Sequence, residues 1–181
     1  RYDVPVQAHD VDSLVTCEAC HTDMVHGGPF DAVLNMHMDT LACEACHIPT
    51  YAREMATKMW WDWSTAGQKD EDGKPMIITN DAGEVVYDTK KGDFTWEQDV
   101  VPEYVWFNGT VTYTLPDTEI DPSGVVPINM LEGSADDPNA RIWPVKVFRG
   151  IQPYDSGNDV FGLLHLYPTS ADDTTAYWKV Y

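Results

Sequence analysis

All four cysteines of the 181-residue chain fall in two identical pentapeptides, Cys17-Glu18-Ala19-Cys20-His21 and Cys43-Glu44-Ala45-Cys46-His47. Two thiols spaced Cys-x-x-Cys and followed at once by histidine suit the covalent attachment of haem c. The sulfurs bond the two vinyl groups of one porphyrin, and the adjoining imidazole is carried beneath the iron. The pattern therefore predicts two haem c groups, with Cys17, Cys20, Cys43 and Cys46 as thioether anchors and His21 and His47 as proximal iron ligands. Two Cys-x-x-Cys knuckles about this far apart are also a zinc pattern, but zinc does not require a histidine after each second cysteine. A disulfide pair or a thioredoxin-like redox pair leaves the duplicated histidine unexplained as well, and no βαβ pattern surrounds either motif.

A six-coordinate iron needs a second axial ligand, and four further histidines are present: His9, His26, His37 and His165. His9 precedes Cys17 and His37 precedes Cys43 by similar distances, so His9 to His21 and His37 to His47 read as an imperfect repeat. A histidine just upstream of a motif reaches a neighbouring haem more readily than its own. His37 is thus the first candidate for the haem of Cys17, and His9 or His26 for the haem of Cys43. His165, within Leu163-Leu164-His165-Leu166-Tyr167, reads as a packed core residue. Met36 and Met38 flank His37; a His/Met pair would raise the reduction potential relative to the preferred His/His. A surplus histidine could also serve an iron in a neighbouring subunit.

Short helices are expected to follow each attachment site, with Ala42, Ala45, Ala52, Met55, Ala56 and Met59 helix-compatible and Pro49 limiting the second. The aromatic run Met59-Trp60-Trp61-Asp62-Trp63 suits either a porphyrin face or ordinary core. Beyond it, residues 76–87, interrupted by Asn80-Asp81-Ala82-Gly83, read as a β-hairpin. A second hairpin is predicted from Glu103–Phe107 and Thr110–Leu115 about Asn108-Gly109. Later prolines keep elements short. The expected fold is a multihaem cytochrome c: mostly irregular chain, with short helices around two haems and a few β-hairpins in the C-terminal two thirds. A dihaem-binding segment (1–66) would carry a hairpin- and loop-rich segment (67–181) packed on it as one domain. Asp70, Asp72, Asp136 and Asp137 are oxygen donors of the kind calcium takes, but they lack a full loop of spaced ligands.

Thirty acidic residues against eleven basic give a net charge of −19, which disfavours nucleic acid and anionic membrane surfaces as partners. No run approaches the roughly 20 apolar residues of a membrane span. Arg1-Tyr2-Asp3-Val4-Pro5 is not a leader sequence, as expected of a processed chain or of a fragment of a longer one. Haem attachment requires reduced thiols and machinery outside the cytoplasm, so a periplasmic or extracellular location is expected.

The stretch Leu41 to Pro49, continued by Thr57-Lys58-Met59-Trp60-Trp61-Asp62-Trp63-Ser64-Thr65-Ala66-Gly67, resembles the C-terminal part of octahaem cytochromes of the tetrathionate reductase family. Val101 to Thr110, Val126 to Asn129 and Arg141 to Pro144 are similar to later segments of that family, so the likeness covers most of residues 9–181. It implies a fold wrapped around cofactors, with the two motifs matching the family's last two haem sites and His26 and His37 falling among its ligands. Because only two motifs are present, the family's catalytic haem does not carry over. The expected role is electron transfer rather than catalysis, as a repeating subunit of an extracellular conducting filament whose partners are its own copies, redox proteins and extracellular acceptors. The alternatives are a discrete periplasmic shuttle or the tail of a multihaem reductase.

Overall fold

Pro29 and Pro49 bracket the second and third of three short N-terminal helices. A computed structural model describes residues 17–22 and 24–180. It contains α1 (Cys17–His21), α2 (Asp31–His37) and α3 (Cys43–His47), each of one or two turns. Helix α3 stops at Ile48, whose φ of −120° and ψ of 75° lie outside the helical region that a following proline disfavours. The helix expected beyond the second attachment site is absent. Pro49 ends α3, and β-favouring residues from Thr57 onward enter strand β1 (Thr57–Asp62) instead.

Contacts divide the chain into two units, each discontinuous in sequence. The first comprises residues 1–51, 101–113 and 129–146. In it β5 (Glu103–Phe107) pairs antiparallel with β8 (Arg141–Val145), Val105 opposite Trp143, while β6 (Val111–Tyr113) pairs with β7 (Asn129–Leu131). The hairpin predicted about Asn108-Gly109 is therefore not formed: β5 and β6 take different partners. Local polar groups turn the chain there. Asn108 Oδ1 accepts from the Thr110 amide (3.0 Å), Asn108 Nδ2 donates to Asp137 (2.7 Å), and the Asn108 amide donates to the Glu132 carbonyl (2.8 Å).

The β5–β8 ribbon supports the two motif helices. Thr40 to Ala42, just before α3, runs along β8 through Ile142 N–H to the Thr40 carbonyl (2.7 Å) and Ala42 N–H to the Ile142 carbonyl (3.0 Å). Arg141 of β8 reaches Glu18 of α1 at 3.1 Å. Phe107 and Trp143 stiffen the ribbon with an edge-to-face contact, centroids 6.2 Å apart.

The second unit holds residues 52–100, 114–128 and 147–181. With β2 (Ile77–Thr79), β3 (Val85–Asp88), β4 (Gly92–Glu97) and β9 (Arg149–Ile151), strand β1 forms a sheet of order β2-β3-β4-β1-β9, antiparallel except at β1–β9. The hairpin expected over residues 76–87 is the β2–β3 pair. Its turn is held by Asn80 Oδ1, which accepts from the Ala82 and Glu84 amides, and by Gly83 at φ 86°. Trp61 packs on Trp63 (5.3 Å) and Phe94 (5.7 Å), so the aromatic run takes the core role for this ring. Buried Thr89 ties loop to sheet, accepting from the Met76 amide and donating to the Gln68 carbonyl, both at 2.7 Å. The small ladder β10 (Tyr154–Asp155) with β11 (Val160–Phe161) and helix α4 (Tyr177–Val180) complete the unit.

Candidate metal centre

Apolar helix faces ordinarily pay for folding by burial against a core, yet none of α1, α2 and α3 has a buried residue. In this unit the buried hydrophobic residues are Ala42 and Ala140. The apolar side chains Val25, Leu34, Met38, Leu41 and Ile48 instead line a cavity of about 540 Å³. That size lies within the roughly 300–1,000 Å³ of small-molecule sites. The same wall carries Cys17, Cys43 and Cys46 with His21, His26, His37 and His47. Seven of the eight sequence-predicted site residues that the structure describes are thus brought together. Cys20 lies on the same helix outside the lining, and His9 lies outside the described residues.

The four cysteines are free thiols. Cys17 donates toward Glu44 Oε1 at 3.8 Å and lies within hydrogen-bonding reach of Cys43, so the leading cysteines of the two motifs meet. The Glu44 carboxylate, followed by burial and Cys43, pushes the Cys17 thiol above its ordinary range. Among the described residues no three His, Cys, Asp or Glu side chains are gathered as a metal cage. Asp70 caps the amides of Asp72 and Lys74, and Asp137 holds Asn108 and the Asn139 amide.

Across the cavity the rings of His26 and His47 lie nearly parallel, 12° apart, with centroids separated by 6.3 Å. Metal–imidazole bonds are about 2.0–2.1 Å. With ring bonds of about 1.33 Å, each nitrogen lies about 1.1 Å from its ring centre, so two imidazoles across one metal have centroids about 6.2–6.5 Å apart. The observed spacing fits an iron held between them. Offset stacking of two imidazoles also falls in this range, but stacking gives no reason for the polar clamp behind His26. His26 Nδ1 lies 3.2 Å from Asn35 Oδ1, which also accepts the His26 amide (3.1 Å), while Asn35 Nδ2 donates to the His26 carbonyl (3.1 Å). The residues present therefore fit a haem: cysteines at the attachment spacing, an apolar wall, and two near-parallel imidazoles with centroids 6.3 Å apart.

Sequence reasoning named His26 only as one of two candidates for the second motif and missed Asn35, Glu18 and Arg141 altogether. A polar residue inside the apolar run Val33-Leu34-Asn35-Met36 was the one available signal for Asn35. His165 is not the packed core residue expected. Its side chain is 45% exposed, and its Nε2 lies 2.6 Å from Asp173, whose carboxyl is held well below the usual range by the Thr169 and Thr175 amides, His165 and the Thr175 hydroxyl.

Residues 58–181 match the family described as cytochrome c bacterial, a segment that begins after both cysteine motifs. The chain belongs to the bacterial cytochrome c family. Among solved structures, an octahaem cytochrome c from Shewanella oneidensis matches this bacterial cytochrome c with 36% identity over 90% of its length and a TM-score of 0.77. The match spans 34% of that larger chain. No curated protein sequence matches. This cytochrome c is therefore a multihaem c-type cytochrome related to octahaem cytochromes, and the expected resemblance holds. Membership implies haem c as cofactor. Among the described residues no helix is long and apolar enough to cross a membrane.

Proposed function

We propose that the chain is a dihaem electron carrier, with one haem c on Cys17 and Cys20 and a second on Cys43 and Cys46. The observation that carries this reading is the His26–His47 pair beside the second motif, at the separation of two axial ligands. His47 and His26 would hold the second iron, and His21 the first, with His37 in the same cavity as its candidate partner. Haem c, when bound, supplies a one-electron iron couple. The chain does the rest. Its thiols fix each group, and its apolar wall keeps water from the metal. Histidine pairs, His26 with His47 and His21 with His37, would leave no open position on either iron for substrate, which favours a carrier over a reductase. The approach of Cys17 to Cys43 would keep the two groups close to each other, as electron exchange between them requires. Visible spectra of the purified holoprotein test the reading: two low-spin centres per chain support it, and a five-coordinate high-spin iron in the wild type points to a reductase.

The same reading places the protein outside the cytoplasm, in the periplasm or beyond the cell. Assembly into a conducting filament of identical copies is favoured by one further observation. His165 is exposed and its ring is oriented by a carboxylate, as metal-ligating histidines are. With Nε2 turned to Asp173, Nδ1 is left for an iron of a neighbouring copy. Electron microscopy of concentrated holoprotein tests this: filaments that disperse in His165→Ala support it, and monodisperse particles at all concentrations leave a discrete shuttle.

A further inference from the structure

Asn35 touches none of the thiols and lies in the middle of α2, where asparagine is a poor helix former. Its amide is nevertheless used completely in one direction. Oδ1 accepts the His26 backbone N–H at 3.1 Å, and Nδ2 donates to the His26 carbonyl at 3.1 Å. These two bonds fix which end of the amide is oxygen, since an NH₂ group cannot accept the first and a carbonyl cannot donate the second. The same oxygen lies 3.2 Å from His26 Nδ1. An acceptor there requires the proton on Nδ1, which leaves the lone pair on Nε2.

We infer that Asn35 is a positioning residue for the second iron: its carbonyl oxygen sets the tautomer and ring orientation of His26 and raises the electron-donating strength of Nε2. This deepens the dihaem reading and rests on His26 as an axial ligand. The physical sense is that of partners behind metal-bound histidines in general, which hold the free N–H and increase ligand basicity. A more basic imidazole favours the ferric state, so Asn35 lowers the reduction potential of the haem on Cys43 and Cys46. Because Asn35 grips both the backbone and the ring of His26, it also couples α2 to the axial ligand rather than leaving His26 on a free loop.

The test uses the holoprotein with three variants, Asn35→Leu, Asn35→Asp and His26→Ala, followed by redox titration and by NMR of the hyperfine-shifted imidazole protons. Loss of such a partner costs about 10–100-fold in metal affinity. If the ferric form bears a tenfold share of that loss, the Asn35→Leu potential rises by about 59 mV. Asn35→Asp restores a stronger acceptor and moves the potential downward. Opposite shifts of one haem, with two low-spin haems retained and the His26 Nδ1 proton signal displaced, are the expected result. A purely structural role for Asn35 moves both variants the same way or lowers haem content without altering the potential, and either outcome overturns the inference. His26→Ala separates the two levels. A high-spin iron there with unchanged potentials in the Asn35 variants refutes Asn35 alone, whereas an unaltered low-spin spectrum in His26→Ala refutes the ligand assignment beneath it.

Discussion

Replacing His26 with alanine removes one of two facing imidazoles whose centroids are 6.3 Å apart. The methyl group of alanine lacks a donor atom, so on the proposed ligation an iron held by His47 would keep one protein nitrogen, and water would be the ligand available to replace the other. A weaker-field ligand converts that iron from low to high spin. With the two haems per chain proposed above, half of the iron should change and half should not. The potential of the altered centre should rise, because one donor that stabilises ferric iron is gone. Axial ligands move haem potentials over about 0.8 V in all, so a shift of the order of 100–200 mV is expected. His26→Met should stay low-spin and also rise in potential, since a thioether is the weaker donor to ferric iron. The assay is electron paramagnetic resonance and redox titration of wild type and both variants at equal haem content. If His26→Ala shows two low-spin irons at wild-type potentials, the facing imidazoles do not share a metal and the assignment of His26 is wrong.

Other consequences follow from separate parts of the chain. Changing both Cys43 and Cys46 to alanine should lower covalent haem from two per chain to one, measured by pyridine haemochrome against protein concentration. His37→Ala should convert the other iron to high spin, and an unchanged spectrum removes it from the ligand set. A Cβ on Gly92, where φ is 85°, would stand 2.0 Å from the Asp62 carbonyl, so Gly92→Ala should cost about 2–4 kcal/mol and lower the melting temperature by about 5–15 °C. Asp173 is held below its unfolded pKa by hydrogen bonds to Thr169, Thr175 and His165. The stabilisation it gives is present above the unfolded value of about 3.9 and fades as pH falls below it. Asp173→Asn should therefore reduce stability near neutral pH and flatten the wild type's loss of stability below about pH 4, read from denaturant titrations at several pH values.

The two attachment sites were legible because covalent chemistry fixes both residue type and spacing, and nothing about the fold is needed to see them. The β2–β3 hairpin was legible for a related reason: Asn80 and Gly83 carry the turn within a few residues. The pairing of β5 was not, since its partner β8 comes from a distant segment and Asn108 was claimed by Asp137 and Glu132 rather than by a tight hairpin. Nor did the helix-compatible alanines and methionines after His47 prevail over Pro49 and the strand-forming tryptophans of β1. His165 sits in an apolar run that suggested burial, but Asp173 and its threonines hold the ring at the surface. The division of the chain into two interleaved units follows from such non-local pairings, which carry no short-range signature. At the metal centre, sequence named the anchors and offered a choice of histidines. The geometry that favours His26, its near-parallel ring beside His47 and its clamp by Asn35, is displayed only by the folded chain.

The central claim, two low-spin haem c groups on one chain, is tested most directly by counting haem and spin state together on the purified holoprotein. Pyridine haemochrome quantitation against protein mass should give two covalent haems per chain, and the oxidised spectrum should contain no high-spin component. One haem per chain, a persistent high-spin iron, or zinc in place of iron would contradict it.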